Sequence, residues 1–197
     1  RQLDILVKLN FFEEFGNNKM LLDIVDIYNK LYRVKIIAKN KMEQLGLSEF
    51  LMTKYAGKET KSQYREIDNA GLIKELCSRL SNESLNIFDQ MKAELEYLGY
   101  VNYKNENMDS NYYAIVSFET FKETRKPSVI LRRICDGEEL NARVKQVKVF
   151  EERPFGLLSI LRIDNLTYEF KNKLIDGEWK QTDEQELILR EYEVVKD

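Results

Sequence analysis

The hydrophobic period of this chain changes once, near residue 105, and that change limits its possible folds more than any other feature. Upstream, apolar residues recur every three or four positions, as one face of a helix requires. Leu72, Ile73, Leu76 and Leu80 form one such stripe, and Leu85, Phe88, Met91, Leu95 and Leu98 form the next, ended by Gly99. Downstream, short alternating segments and turn dipeptides dominate, the pattern of half-buried strands. Helices first and strands second give an α+β chain with segregated layers. The predicted organisation is a helical module over residues 1–104 and a β domain over residues 105–197.

The β half has a readable order. YYAIVSF (residues 112–118) alternates, and SVILRRI (128–134) is apolar on both faces until Arg132 and Arg133. Asp136-Gly137 and Asp176-Gly177 are hairpin signals, because type I′ turns need positive φ at both central positions. LNARVKQVKVF (140–150) alternates and then slips parity, which predicts a bulge near Lys145-Gln146. Residues 154–160 read as a short helix or turn, 161–175 as a strand, and 186–195 as a last strand. Three meandering strands, a helical plug and two further strands are the order of a five-stranded antiparallel OB-like β-barrel. Any small antiparallel β domain is the plainer alternative.

Composition narrows the chemistry. The chain has 197 residues, a net charge of -3 and no histidine. Without histidine there is no Ser-His-Asp or Cys-His nucleophile pair, no imidazole metal ligand and no histidine acid–base step. No phosphate-loop, dinucleotide or Cys-x-x-Cys motif occurs. The two cysteines, Cys77 and Cys135, lie far apart and read as reduced and structural. No catalytic residue, metal ligand or cofactor site is expected in this segment. No apolar run approaches the roughly 20 residues of a membrane span, so no membrane partner is expected, and the reduced cysteines point to a cytoplasmic location. The start at Arg1-Gln2, without Met or a signal peptide, suggests a piece of a longer protein.

Near the start, Leu3, Ile5, Leu6 and Leu9 lead into Phe11, Phe12 and Phe15, and Gly16 then stops the chain. Gly16 suits a helix end, Asn17 or Asn18 suits the next helix start, and Lys19 follows. A helix–Gly–helix joint with a cation at the second start is a way to approach a phosphate backbone. An ordinary helical hairpin fits the same periodicity.

The stretch from Leu6-Val7-Lys8 through Phe12, Phe15-Gly16, Lys19 and Leu21-Leu22 resembles the end of the tandem helix-hairpin-helix region of bacterial replicative DNA polymerase III alpha subunits, the C-family. Asn10 replaces the family's usual small residue, and Lys19 stands near its usual arginine. Glu94-Leu95-Glu96 with Leu98-Gly99-Tyr100 resembles the family helix that leads out of the helical module. The family's following SGHPL is here Asn102-Tyr103-Lys104-Asn105. The resemblance implies an OB domain next in order, in a parent that is a DNA-directed polymerase (a nucleotidyltransferase) whose palm lies upstream. This segment would then serve DNA replication without carrying the polymerase's catalytic site.

The expected partner is single-stranded or template DNA, held by cations on phosphates and aromatic planes on bases. Candidate residues are Lys19, Arg33 and Lys35 in the helical half. In the β half they are Phe121, Lys122, Arg125 and Lys126 on the first connecting loop, with Arg132, Arg143 and Lys145 on strands two and three. The alternative is a protein-interaction module that docks other replisome subunits, favoured by the acidic stretch after Asp164.

Overall fold

The computed structural model describes residues 2–120 and 127–195. The chain forms two compact units, Arg1–Asn86 and Ile87–Asp197. Phe121, Lys122, Arg125 and Lys126 fall outside the described residues.

The first unit opens with α1 (Gln2–Lys8), a 3-10 turn at Glu13–Phe15 and α2 (Asn18–Leu31). Then come β1 (Ile36–Ala38), α3 (Glu49–Tyr55), β2 (Ala56–Glu59), β3 (Gln63–Ile67) and α4 (Asn69–Ser78). The strands pair antiparallel in the order β1-β3-β2. Helices start where short polar side chains can take a free backbone N–H. The Ser48 hydroxyl accepts from Leu51 N at 3.3 Å, and Asp68 Oδ1 accepts from Gly71 N at 3.1 Å. Leu31, Ile37, Leu51, Met52, Tyr64 and Leu72 form the core.

Residues 57–65 read as a polar, mobile loop, but most of them belong to the β2–β3 hairpin. Thr60 N donates to Gln63 O at 2.8 Å, while Tyr64 and Ile67 are buried. Tyr64 and Ile67 both join the core, with Ala56 packed against it, and anchor a hairpin whose remaining side chains are mostly polar.

The second unit begins earlier than the period change suggested. Helix α5 (Ile87–Leu98) belongs to it. Met91 packs with Val101, Ala114, Ile134, Leu158 and Ile160. Periodicity predicts a helix here, but it does not say which core receives the helix face.

The strands are β4 (Tyr112–Thr120), β5 (Pro127–Arg133) and β6 (Glu139–Arg143), then helix α6 (Val147–Glu152) and strand β7 (Ile160–Arg162). Strands β8 (Thr167–Ile175), β9 (Glu178–Ile188) and β10 (Glu193–Val195) complete the unit. Neighbouring residues of β4 enter opposite clusters: Tyr113 and Ile115 join Leu131, Val144, Leu161 and Leu187, while Ala114 joins Met91 and Ile134. Burial on both faces explains why this strand is apolar at successive positions.

The fold is mixed α+β, but the sheet is not a closed five-stranded barrel. It has seven strands in the order β10-β7-β4-β5-β6-β9-β8. It is also not wholly antiparallel: β6 and β9 pair in parallel through Ala142↔Leu187 and Arg143↔Ile188. The extra strands come from residues 161–188. The strand expected over 161–175 is split into the short β7 and β8, and β9 begins at Glu178 rather than 186, so β8 and β9 form a long hairpin turned at Asp176 (φ 54°) and Gly177 (φ 84°). At the first expected I′ turn only Gly137 has positive φ (79°), and Arg133 N bonds Glu138 O across a longer loop. The parity slip after Lys145 is not a bulge. It marks the onset of α6, whose Val149 and Phe150 pack on the core. Register shifts lie instead in the β4–β5 pair, between Ile115 and Ser117, and in the β8–β9 pair, between Phe170 and Asn172.

Candidate nucleic-acid interface

Arg132 lies on β5 opposite Glu139 of β6, and the two ion-pair at 2.9 Å. Its side chain is only 11% exposed, and its buried Nε has no hydrogen-bond partner. Arg132 is therefore committed to the inside of its own unit rather than offered to a phosphate. Its neighbour Arg133 makes three hydrogen bonds to Asp136, two from Nε at 3.0 Å and one from a terminal nitrogen at 2.6 Å, and also meets Glu138. That guanidinium and the Glu138 N–H hold the Asp136 carboxyl down at about 2, while Asp136 pushes Arg133 up.

Arg143 and Lys145 do come together, at the end of β6. Arg143 reaches Glu186 at 3.7 Å, and Lys145 reaches Glu169 at 2.7 Å and Glu186 at 3.5 Å. Arg190 pairs with Glu169 from the other side. Lys145 first and Arg190 second lower the Glu169 carboxyl. Three cations thus face two carboxylates, leaving a local excess of one positive charge. Glu169 and Glu186 sit on strands read as acidic from sequence, but only the β6–β9 and β8–β9 pairings bring them onto these cations.

The aromatic side of the interface is less available. Phe118 is packed among Phe150 (6.2 Å) and Phe155 (6.0 Å), in a cluster that extends to Tyr192. It fills the core rather than offering a stacking plane. Exposed rings stand instead on the β8–β9 hairpin. Tyr168, Phe170, Leu174 and Trp179 share one face of it, and Trp179 is 73% exposed. Glu169, Lys171, Lys173, Glu184 and Glu186 belong to the charged pairs of the hairpin.

In the first unit, Lys19 pairs with Asp23 one helical turn on. The start of α2 is also occupied. Met20 N bonds Glu83 O at 3.2 Å, Asn17 N bonds Asn82 Oδ1 at 2.8 Å, and Leu85 N bonds Asn18 Oδ1 at 2.7 Å. The returning segment takes the place where a phosphate was expected.

Arg33 and Lys35 are different. Both are exposed and border a cleft of about 490 Å³ with Tyr28, Tyr32, Ile67, Asp68 and Ile73. Tyr28 and Tyr32 are stacked, with ring centroids 4.6 Å apart, and the Arg33 guanidinium lies 4.9 Å from the Tyr32 centroid. The sequence reading missed the two tyrosines as site residues. Their signal was an i, i+4 aromatic pair at a helix end, followed at once by two cations.

Among the described residues, no cluster of three or more His, Cys, Asp or Glu side chains could hold a metal ion, and no helix is long and apolar enough to cross a membrane. No family model, curated protein or solved structure matches this chain.

Proposed function

We propose that this chain is a non-catalytic DNA-binding segment of a replicative polymerase III alpha-like subunit, holding single-stranded or template DNA near a polymerase carried elsewhere in the parent. The observation that carries the reading is the chain order around the sheet. A three-strand meander, β4-β5-β6, leads to the helix α6. The next strand, β7, pairs with β4, and the end of β9 pairs with β6. Only Leu189–Tyr192 separate β9 from β10, and β10 pairs with β7. The last strand segment thus reaches one end of the meander directly, at β6, and the other only through β7, which pairs with β4; this order supports an OB-like reading. The β8–β9 hairpin reads as an enlarged loop between the last two strands of that domain, one of the loops OB domains use on single strands. The OB-like reading agrees in chain position with the polymerase resemblance near Gly16 and Gly99. The test is anisotropy of a labelled dT oligonucleotide with the 197-residue chain. Affinity is expected to fall steeply with salt. No binding at low salt would discard the reading for this chain.

A second reading is favoured by the hairpin and by the paired cations. Arg132, Arg143 and Lys145 each have a carboxylate mate, while Tyr168, Phe170, Leu174 and Trp179 expose an uncharged face on β8–β9. A protein partner that covers apolar surface fits that face better than a phosphate backbone does. Under this reading the segment docks other replisome subunits. Binding to a dT oligonucleotide that leaves Trp179 fluorescence unmoved would separate the two surfaces.

A further inference from the structure

We infer that the cleft between the end of α2 and the start of α4 binds a nucleobase together with its phosphate. The inference deepens the DNA-binding reading and rests on it for the source of the base. Its volume, about 490 Å³, lies in the range of small-ligand sites. Ile67 and Ile73 supply apolar lining, and the stacked Tyr28 and Tyr32 supply ring surface, each just under half exposed. Asn69 preforms the site: its Nδ2 donates to Leu31 O at 2.7 Å and to Val34 O at 2.6 Å. This ties the chain leaving α2 to the start of α4.

The rim carries the charge. Lys19, Lys30, Lys39, Lys54 and Arg79 of the same unit all have carboxylate mates. Arg33 and Lys35 have none among the described residues; Lys8, Lys41, Lys58, Lys61, Arg65 and Lys74 lack one too, but it is Arg33 and Lys35 that border the cleft. Arg33 is also held at φ 59°, a backbone conformation that disfavours a residue with a Cβ, so its position is imposed by its surroundings. Ring surface beside two uncompensated cations is the pairing that single-stranded nucleic acid needs, stacking for the base and charge for the phosphate. Asp68 adds a carboxylate to the lining. Its Oδ1 caps α4 by accepting from Gly71 N, and its other oxygen can accept from a base N–H.

The experiment follows backbone amide NMR shifts of the full chain with two probes, dTMP and the oligonucleotide dT12, and adds dT12 affinities for variants. Both probes are expected to move the amides of residues 28–35 and 67–73. Tyr32→Ala should weaken dT12 binding by about tenfold. Arg33→Gly with Lys35→Gln should weaken it further and flatten the salt dependence, and glycine at position 33 keeps the backbone unstrained. Binding of dT12 unchanged within about twofold in both variants would overturn the inference and leave the DNA reading standing. Cleft shifts with dTMP but no dT12 binding would uphold the site for a free nucleotide and end the DNA reading. Shifts with an acidic tyrosine-containing peptide and none with dTMP would overturn the inference in favour of protein docking.

Discussion

Arg153 and Tyr192 exchange hydrogen bonds. The Arg153 guanidinium donates to Tyr192 O at 2.8 Å, and the Tyr192 hydroxyl donates to Arg153 O at 2.8 Å. The pair joins the residue just after α6 to the connector between β9 and β10. That connector lets one stretch of chain pair with β6 and then with β7. The Tyr192 ring packs edge-on to Phe155 at 5.2 Å, so the connector is held by both polar and apolar contacts.

Tyr192→Phe keeps the ring and removes the hydroxyl. The expected loss is about 1 kcal/mol of stability, the usual net worth of one such bond. Burial pushes the Tyr192 hydroxyl up to about 12 from an ordinary 10. A raised value means the folded state favours the neutral phenol. This contribution is full below pH 10 and is lost as pH rises toward 12. Urea midpoints of both proteins at neutral and alkaline pH check it. A gap that does not narrow above pH 10 would refute the assignment.

Glu75 of α4 accepts from Lys54 at 2.5 Å and from the Tyr55 hydroxyl at 2.5 Å, and it also pairs with Arg79. Lys54 first, then Tyr55 and Arg79, hold its carboxyl at about 2 against an ordinary 4.5. The folded value is depressed, so the contribution is present above 4.5 and disappears as pH falls toward 2. Glu75→Gln is expected to lower the thermal midpoint at neutral pH and to match the wild type near pH 2. A difference that is the same at every pH would contradict this account.

Much of the fold could be read from the sequence because it depends on local pattern. The helical period of 72–80, the strand at 112–118 and the turn at Asp176-Gly177 all follow from neighbours in sequence. The misses depend on long-range pairing. Nothing near Glu186 announces that it will face Arg143 and Lys145, because a parallel pairing brings them together. Arg132 stands as a phosphate candidate in the sequence, yet the β5–β6 pairing sets it against Glu139. Tyr64 was read as part of a polar loop because its burial is set by helices far away in the chain.

Glu169 and Glu186 are the carboxylates that restrain the cations at the end of β6. If that rim touches DNA, Glu169→Gln with Glu186→Gln should free Arg143, Lys145 and Arg190. The affinity for dT12 should then rise by about threefold or more at low salt, with a steeper salt dependence. Glutamine keeps the volume and an acceptor oxygen, so the unit should still fold, as circular dichroism would verify. An unchanged affinity would remove this rim from the interface and leave the Tyr28–Tyr32 cleft to account for binding.

Trp179 is the only tryptophan of the chain and stands 73% exposed at the turn end of the β8–β9 hairpin, opposite Leu174. Its side chain contributes little to its own unit, so Trp179→Ser should change the unfolding free energy by less than about 0.5 kcal/mol in urea titrations. Its emission should be that of a water-exposed indole in the free protein. When a partner covers the apolar face, the emission should shift to the blue, and Trp179→Ser should weaken that complex by more than about tenfold, as expected of an aromatic anchor. Titration of a candidate replisome subunit, followed by fluorescence and calorimetry, reads both effects. A partner that binds tightly without moving the emission, and tolerates Trp179→Ser, would place the docking surface elsewhere on the chain.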